Sequence, residues 1–459
     1  MNSSDINAAL ATNNIRQFIV FRAFFNARFY YPIFAILFLD FGLTLEHFAL
    51  LNAVWAASIV LLEVPSGALA DTFGRRNLLV CAGGLMVVEI ALLCFVPLGN
   101  LNLLLVVFVI NRVLSGAAEA AASGADEALA YDSLKKAGLT ANWSRVLEKQ
   151  MRFQSFLRMG AMIAGAAVYD PTLMQLAARG LGLQVTLSQE ITMRFPLYLT
   201  LVFAVVTFVT TLRMREVSVA GPTDQQPQDR SILQTFRLTL KAGRWILTTP
   251  FALVVIMTGL MFDSIIRMFS TMNSQYYRMI DVPEATFGLI AALLSFLGIF
   301  HAFIARKLVD NRSALFNMAL LSVLALVGLT GVSLVIPIFG LLPMIFLSAV
   351  MYMLSFFTSY YLNRITSSDQ RATVLSFKGL SFNLGYGLIG ILYSLLLAFL
   401  RLRTDAPAAA AAGRGIEDIV YITSLSWFPG VFVCCLAVLV IFARWKLKGL
   451  KKEELGKGI

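Results

Sequence analysis

Several ionisable side chains lie inside long apolar runs of this 459-residue sequence, and six of them are candidates for a site. They are Arg28, Glu63, Arg112, Glu119, Asp263 and Arg267. A charge in an apolar medium is costly unless it is paired or reaches water, so each is a candidate for binding a polar solute. A carboxylate can take up and release a proton, whereas an arginine fork matches carboxylate or phosphate groups. We therefore predict that these six residues bind substrate or a coupling ion.

The spacing of the polar residues in two runs is helical. In the first run, polar side chains recur every three or four positions, which places them on one face of a helix. These are Arg112, Ser115, Glu119, Ser123 and Asp126. Such a stripe should face the interior of a bundle or a water-filled path. In the second run, Asp263 and Arg267 are four residues apart and can pair within one helix.

A structural interpretation of the same charges stays open at this point. Arg28 and Arg112 suit pairing with Glu63 or Glu119 as well as they suit a ligand. Arg267 could simply neutralise Asp263. Residue types and spacing alone do not separate these alternatives.

The elements that must position these charges are membrane-spanning helices. Hydrophobic residues make up 58% of the chain and charged residues 14%, against about 25% charged in soluble domains. A run of about 20 apolar residues is long enough to cross a bilayer as a helix. Twelve such runs are predicted at 16–39, 47–70, 77–98, 102–125, 152–171, 195–214, 248–272, 285–306, 314–335, 338–361, 372–400 and 420–444. The alternating ten-residue segments of a β-barrel are not the pattern seen.

The basic residues indicate the orientation. With twelve spans and the N-terminus inside, 26 of the 37 lysines and arginines fall in cytoplasmic segments and six fall in outside loops. Positive residues concentrate on the cytoplasmic side of membrane proteins. Both termini are therefore predicted to be cytoplasmic. The net charge of +11 reflects topology, and nucleic acid is not an expected partner.

The chain divides into two halves around a cytoplasmic linker. We predict a six-helix bundle over 1–214, a linker over 215–247 and a second six-helix bundle with a basic tail over 248–459. Within the linker, apolar residues alternate with cations as in a helix that lies on a membrane surface. These residues are Ile232, Leu233, Phe236, Leu240, Arg237, Lys241 and Arg244.

A short motif joins the second and third spans. It contains Gly67, Asp71, Gly74, Arg75 and Arg76. Gly67 would allow close helix contact, Gly74 would turn the chain, and the two arginines would anchor the next span at the cytoplasmic face. Asp71 could pair with a cation in one conformation and release it in another.

This motif resembles the loop signature of the major facilitator superfamily, Gly-x-Leu-Ala-Asp-x-x-Gly-Arg-Arg. A second stretch, from Arg112 to Gly116, is similar to the polar stretch of the family's fourth span. The segments around Glu63 and around Asp126, Glu127 and Asp132 are similar to the drug:proton antiporter-like branch, which includes macrolide-efflux proteins. The resemblance implies an all-α fold of twelve helices in two pseudo-symmetric bundles. It also implies that the motif residues, with Asp126 and Glu127, serve conformational gating.

Two features depart from the family pattern. The fifth span, Gly160 to Gly165, lacks the Gly-Pro pair of the commonest antiporter signature. The second-half copy of the loop signature is degenerate, because only the charges of Arg306, Lys307, Asp310 and Arg312 remain.

The expected function is secondary active transport of a small organic solute by alternating access. Proton-coupled export is the first hypothesis, and uptake or exchange of an anionic metabolite is the alternative. An enzyme or receptor is a remote third, because two histidines and no soluble domain offer little for either. We expect no cofactor, no metal and no ATP-binding loop; the partners are solute, protons and lipid. A plasma membrane, as in a bacterial inner membrane, is the expected location, and the sequence does not indicate the oligomeric state.

Overall fold

A computed structural model describes residues 3–217, 243–366, 371–404 and 415–448. Its α-helices are α1 (Ser3–Asn26), α2 (Phe34–Asp40), α3 (Leu45–Phe73), α4 (Arg75–Phe95), α5 (Leu101–Ala122), α6 (Ala125–Lys136), α7 (Trp143–Tyr169), α8 (Pro171–Gly180), α9 (Gln189–Thr192), α10 (Phe195–Arg213), α11 (Pro250–Thr271), α12 (Asn273–Met279), α13 (Phe287–Asn311), α14 (Ala314–Ser333), α15 (Leu341–Ile365), α16 (Arg371–Arg403), α17 (Ile416–Leu425) and α18 (Trp427–Leu447). Three short 3-10 helices cover Tyr31–Ile33, Thr140–Asn142 and Glu284–Thr286. Residues 243–248 are also helical. All regular structure in the described part of the chain is helical, as the apolar runs predict.

Ten helical stretches of the described chain are long and apolar enough to cross a membrane. The two remaining predicted spans, the first and the fifth, are also helical and correspond to α1 with α2 and to α7. The predicted amphipathic helix of the linker lies almost entirely within 218–242, outside the described residues.

The first predicted span is not one continuous helix. The chain leaves α1 after Asn26, turns through Arg28 and Phe29, and re-enters a helix at Phe34. The freed backbone N–H of Phe29 donates to Thr200 Oγ1 at 3.1 Å, which keeps a buried donor satisfied. Gly165 of α7 lies directly against the Phe29 carbonyl. A side chain at this position of α7 would collide with the backbone of the break.

The fourth predicted span, 102–125, corresponds to α5 and ends at a break in the helix. Gly124 has φ +74°, a left-handed conformation that glycine adopts without steric cost, and it separates α5 from α6. α6 is held at its far end by Asn14, whose side-chain amide donates to Ser133 Oγ at 2.9 Å.

The chain forms two compact units. The first contains Met1–Leu43, Val54–Phe236 and Glu284–Leu289, and the second contains Thr44–Ala53, Arg237–Pro283 and Ile290–Ile459. In the first, α1 packs on α6, α7 and α10, and α4 packs on α5 and α10. In the second, α11 packs on α15, α16 and α18, and α14 packs on α15 and α18.

Candidate functional site

Two charged residues of the first unit form a buried ion pair. Arg28, at the break after α1, contacts the carboxylate of Glu89 on α4, and their side chains are 3% and 0% exposed. The Arg28 Nη1 atom also donates to the Tyr30 hydroxyl at 3.1 Å. The partner of Arg28 is thus Glu89, a residue with no predicted role at the site, and neither Glu63 nor Glu119.

Arg112 extends this buried network. Its Nε and Nη2 atoms donate to Asn111 Oδ1 at 3.0 and 2.7 Å, and Asn111 in turn donates to the Glu89 backbone carbonyl at 2.8 Å. The guanidinium also lies 5.3 Å from the ring centre of Phe34, close enough for a cation–π interaction. Arg112 is 4% exposed, so protein covers the guanidinium surface that a solute would have to contact.

Glu63 and Glu119 have a different environment. Glu119 is exposed although it lies within the apolar stretch Leu101–Lys136. Among described residues it has no ion pair, and Glu63 Oε2 is buried without a hydrogen-bond partner. The two carboxylates are close enough to repel one another electrostatically. They are the two predicted coupling acids of this unit, and neither has a salt bridge among the described residues.

The predicted polar stripe does not face one environment. Arg112 and Ser115 are buried, Glu119 and Ser123 are exposed, and Asp126 is buried again. The stripe is predicted to face the interior of a bundle or a water-filled path, and it contains both buried and exposed side chains. Gly124 places Asp126 on the following helix.

The motif loop after α3 is held by its arginines. Arg75 pairs with Asp132 of α6, and Arg76 Nε donates to the Met214 carbonyl at 2.9 Å. Gly74 has φ +93°, as the predicted turn requires. Asp71 lies in α3, and its side chain falls outside what the structure describes.

Gly67, in contrast, shows no close packing. No described atom lies within 4 Å of a side chain built there, so the predicted close helix contact is not observed.

The other predicted gating acids meet one arginine. Arg22 of α1 contacts Asp126, with one bond of 2.9 Å from Nη2, and reaches Glu127 Oε1 at 2.8 Å. Asp126 is 2% exposed in this pair, whereas Glu127 is 51% exposed. Arg22 therefore links α1 to the first turn of α6.

The second unit has its own polar cluster on α11 and α16. Asp263 and Arg267 pair as their spacing predicts. Arg267 Nη1 also donates to Asn383 Oδ1 at 3.1 Å, and its guanidinium lies 5.1 Å from the Tyr386 ring centre. Arg267 keeps 25% of its side chain exposed, so the cluster retains one accessible cation.

A further ionic cluster of the second unit was not predicted from the sequence. Arg401 donates to both carboxylate oxygens of Glu46 at 2.6 and 2.8 Å and also contacts Glu417. It joins the first turn of α3 to α16 and α17. Each residue lies at a helix end in the sequence, where an isolated charge is ordinary, so nothing in the sequence singles it out.

Comparison with known proteins identifies the fold and the family. The model of the Major Facilitator Superfamily matches residues 18–390. The chain belongs to the major facilitator superfamily. It is therefore a multi-pass membrane protein of a transporter family, and its fold class is the one that the resemblance implied. A comparison with curated protein sequences finds no match.

Solved transporters share this fold at low sequence identity. A bacterial homologue of the human lysosomal transporter Spinster, inward-facing and unoccupied, aligns with a TM-score of 0.66 and 12% identity over 97% of this chain and 98% of its own. The nucleoside transporter NupG aligns with a TM-score of 0.64 and 14% identity over 96% and 99%. A D-xylose–proton symporter aligns with a TM-score of 0.58 and 13% identity over the whole of both chains.

Proposed function

We propose that this chain is a proton-coupled secondary transporter that exports a small organic solute, with Glu63 and Glu119 as the proton-coupling pair. The observation that carries the proposal is the exposed Glu119 carboxylate near Glu63, inside apolar sequence and without a salt bridge among the described residues, although Arg28 and Arg22 attract it at longer range. A proton and a cationic solute would each remove the repulsion between the two carboxylates, so the proton and the solute can compete for the pair.

Arg28 and Arg112 are then structural residues of the first unit. Both are buried and engaged by Glu89 and Asn111, which supports a role in holding the break of the first span. A solute that had to reach either arginine would have to displace a hydrogen bond inside a closed core, which is costly.

The motif residues are proposed to act in conformational change. Arg75 with Asp132, and Arg22 with Glu127, connect separate helices through partly exposed ion pairs, whereas the Asp126 carboxylate that Arg22 also contacts is buried. The partly exposed pairs are weak enough to break and re-form during a transport cycle, and the buried carboxylate would hold α6 on α1 more firmly. The two predicted bundles, 1–214 and 248–459, would rock about the solute, and both termini would be in the cytoplasm of a bacterial inner membrane.

Uptake or exchange of an anionic metabolite remains the second candidate, and one observation favours it. Arg267 is partly exposed and is held beside Asn383 and Tyr386, a donor and an aromatic ring that suit a carboxylate-bearing solute. In that case Asp263 would be the group released when the anion binds.

The test is a flux measurement on purified protein in liposomes that contain a pH-sensitive dye. Lipophilic cations added outside should release protons from liposomes that contain wild-type protein, and Glu119→Gln should abolish that proton movement. Glu190→Gln, an exposed carboxylate outside the predicted spans, is the matched control and should behave as wild type. The proposal is wrong if cation flux and proton flux are unchanged in Glu119→Gln, and the alternative gains if only anions are moved and Arg267→Gln stops them.

A further inference from the structure

A pocket of about 1250 Å³ lies in the first unit between α1, the end of α6 and the start of α7. It is separate from the residues of the proposed coupling pair. Its walls combine cations with apolar side chains, a combination that none of the proposed transport steps uses.

The cations lie near the starts of two predicted spans. Arg16 begins the first predicted span and Arg152 begins the fifth; Lys149 and Arg145 precede Arg152 by about one and two turns of α7. Glu148 is the only acid among the lining residues, and its contact with Arg152 is long, at 3.7 Å, between side chains that are 68% and 72% exposed. An exposed pair of this geometry contributes little, so the pocket keeps a strong positive excess.

Apolar residues line the same pocket on its membrane side. Ile19 and Val20 follow Arg16 on α1, and Phe153 and Phe156 follow Arg152 on α7. Phe156 is 67% exposed and Phe153 is 42% exposed. The order along both helices is thus the same, with a cation first and apolar surface within the next turn. That order matches the passage from lipid headgroups to acyl chains.

The wall behind the pocket is packed. Phe18, Ile19 and Ala130 form a buried cluster against Trp143, Val146 and Leu147. The Trp143 ring lies 5.9 Å from Phe18 and 5.5 Å from Tyr131, centre to centre. The cations therefore project from a fixed surface rather than from a loose loop.

We infer that this pocket binds one anionic phospholipid of the adjacent leaflet, with its phosphate on Arg16, Arg145, Lys149 and Arg152 and an acyl chain along Phe153 and Phe156. The occupant is a lipid rather than a soluble phosphate because the cations and the exposed aromatic rings occur in one pocket. Its charge must be negative because the lining carries four cations and one acid. Each basic residue near an anionic membrane surface adds measurably to lipid binding.

The test is native mass spectrometry of the full-length protein in mild detergent with phosphatidylglycerol or phosphatidylethanolamine added. Wild type should retain phosphatidylglycerol about tenfold better, and a triple variant with Arg145→Gln, Lys149→Gln and Arg152→Gln should lose that preference. The control triple variant changes Arg306, Lys307 and Arg312 to Gln, which are exposed cations of the second unit. It should keep the preference, and so should wild type in excess inorganic phosphate.

Three results would overturn the inference. They are equal retention of the two lipids by wild type, an undiminished preference in the pocket triple variant, or displacement of the lipid by inorganic phosphate. Because the changed cations are exposed, the triple variant should fold; an unaltered size-exclusion profile checks this. Phe156→Ser gives an independent measurement, since it should weaken long-chain phosphatidylglycerol and leave a short-chain analogue unaffected.

Discussion

Replacing Glu89 by leucine should destabilise the protein strongly. The carboxylate is fully buried, and Arg28 beside it is 3% exposed, so Glu89→Leu leaves an arginine charge inside the protein without its counter-ion. Breaking a buried ion pair from one side costs about 3–5 kcal/mol, or two to three and a half powers of ten in the folding equilibrium. Asn111 keeps its 2.8 Å bond to the residue-89 backbone carbonyl and loses only its long 3.5 Å bond to the carboxylate, so most of the loss is assigned to the ion pair.

The double variant Arg28→Met with Glu89→Leu separates the charge from the packing. Replacing both partners of a buried pair by apolar residues is often neutral, so most of the lost stability should return. The control is Glu148→Leu, which removes an acid from a pair whose side chains are 68% and 72% exposed. It should cost less than about 1 kcal/mol.

The measurement is equilibrium unfolding in mixed micelles, followed by circular dichroism, with transport measured on the same preparations. Stability of Glu89→Leu within about 1 kcal/mol of wild type would refute the reasoning. So would a stable Arg28→Met/Glu89→Leu protein that has lost solute binding, because Arg28 would then serve the ligand and not the fold.

Three other substitutions test the packing and the motif. Gly165→Ala should lower the free energy of unfolding by about 1–3 kcal/mol, because the added methyl group would collide with the backbone of the first span. Gly160→Ala has open space around the added methyl group and should not lower it. Gly74→Ala should cost about 1–3 kcal/mol in the same unfolding assay, since φ is +93° there and a glutamate carboxylate lies 2.8 Å from the added methyl; Gly67→Ala should be neutral or stabilising. Arg22→Gln leaves two carboxylates of α6 without their cation and should lower stability by about 3 kcal/mol. The double variant Arg22→Gln/Asp126→Asn should recover part of that loss.

The fold could be predicted from the sequence because its determinants are long and repetitive. A span of 20 apolar residues remains a helix across small errors in its bounds, and the loop motif from Gly67 to Arg76 is specific enough to indicate the family. The interruptions were not predictable in the same way. The turn at Arg28 interrupts the apolar run of the first span over only a few residues, and Gly124 lies beside polar residues at the end of the fourth; both redirect the chain that follows.

The partners of the charges show why the candidate site could be predicted only in part. Asp263 and Arg267 are one helical turn apart, and their pairing follows from sequence spacing alone. Arg28 and Glu89 are 61 residues apart, and their pairing depends on how the break after α1 lies against α4, which no local pattern encodes. Hydropathy makes Arg28 and Arg112 functional candidates because a charge inside the membrane must be compensated. It does not say whether the compensation comes from protein or from solute. In the described structure Arg28 and Arg112 are buried, whereas Glu119 is exposed and Arg267, although paired with Asp263, is partly exposed. Experiments on cargo should therefore begin with the exposed acid and the exposed cation, and experiments on folding with the enclosed pair.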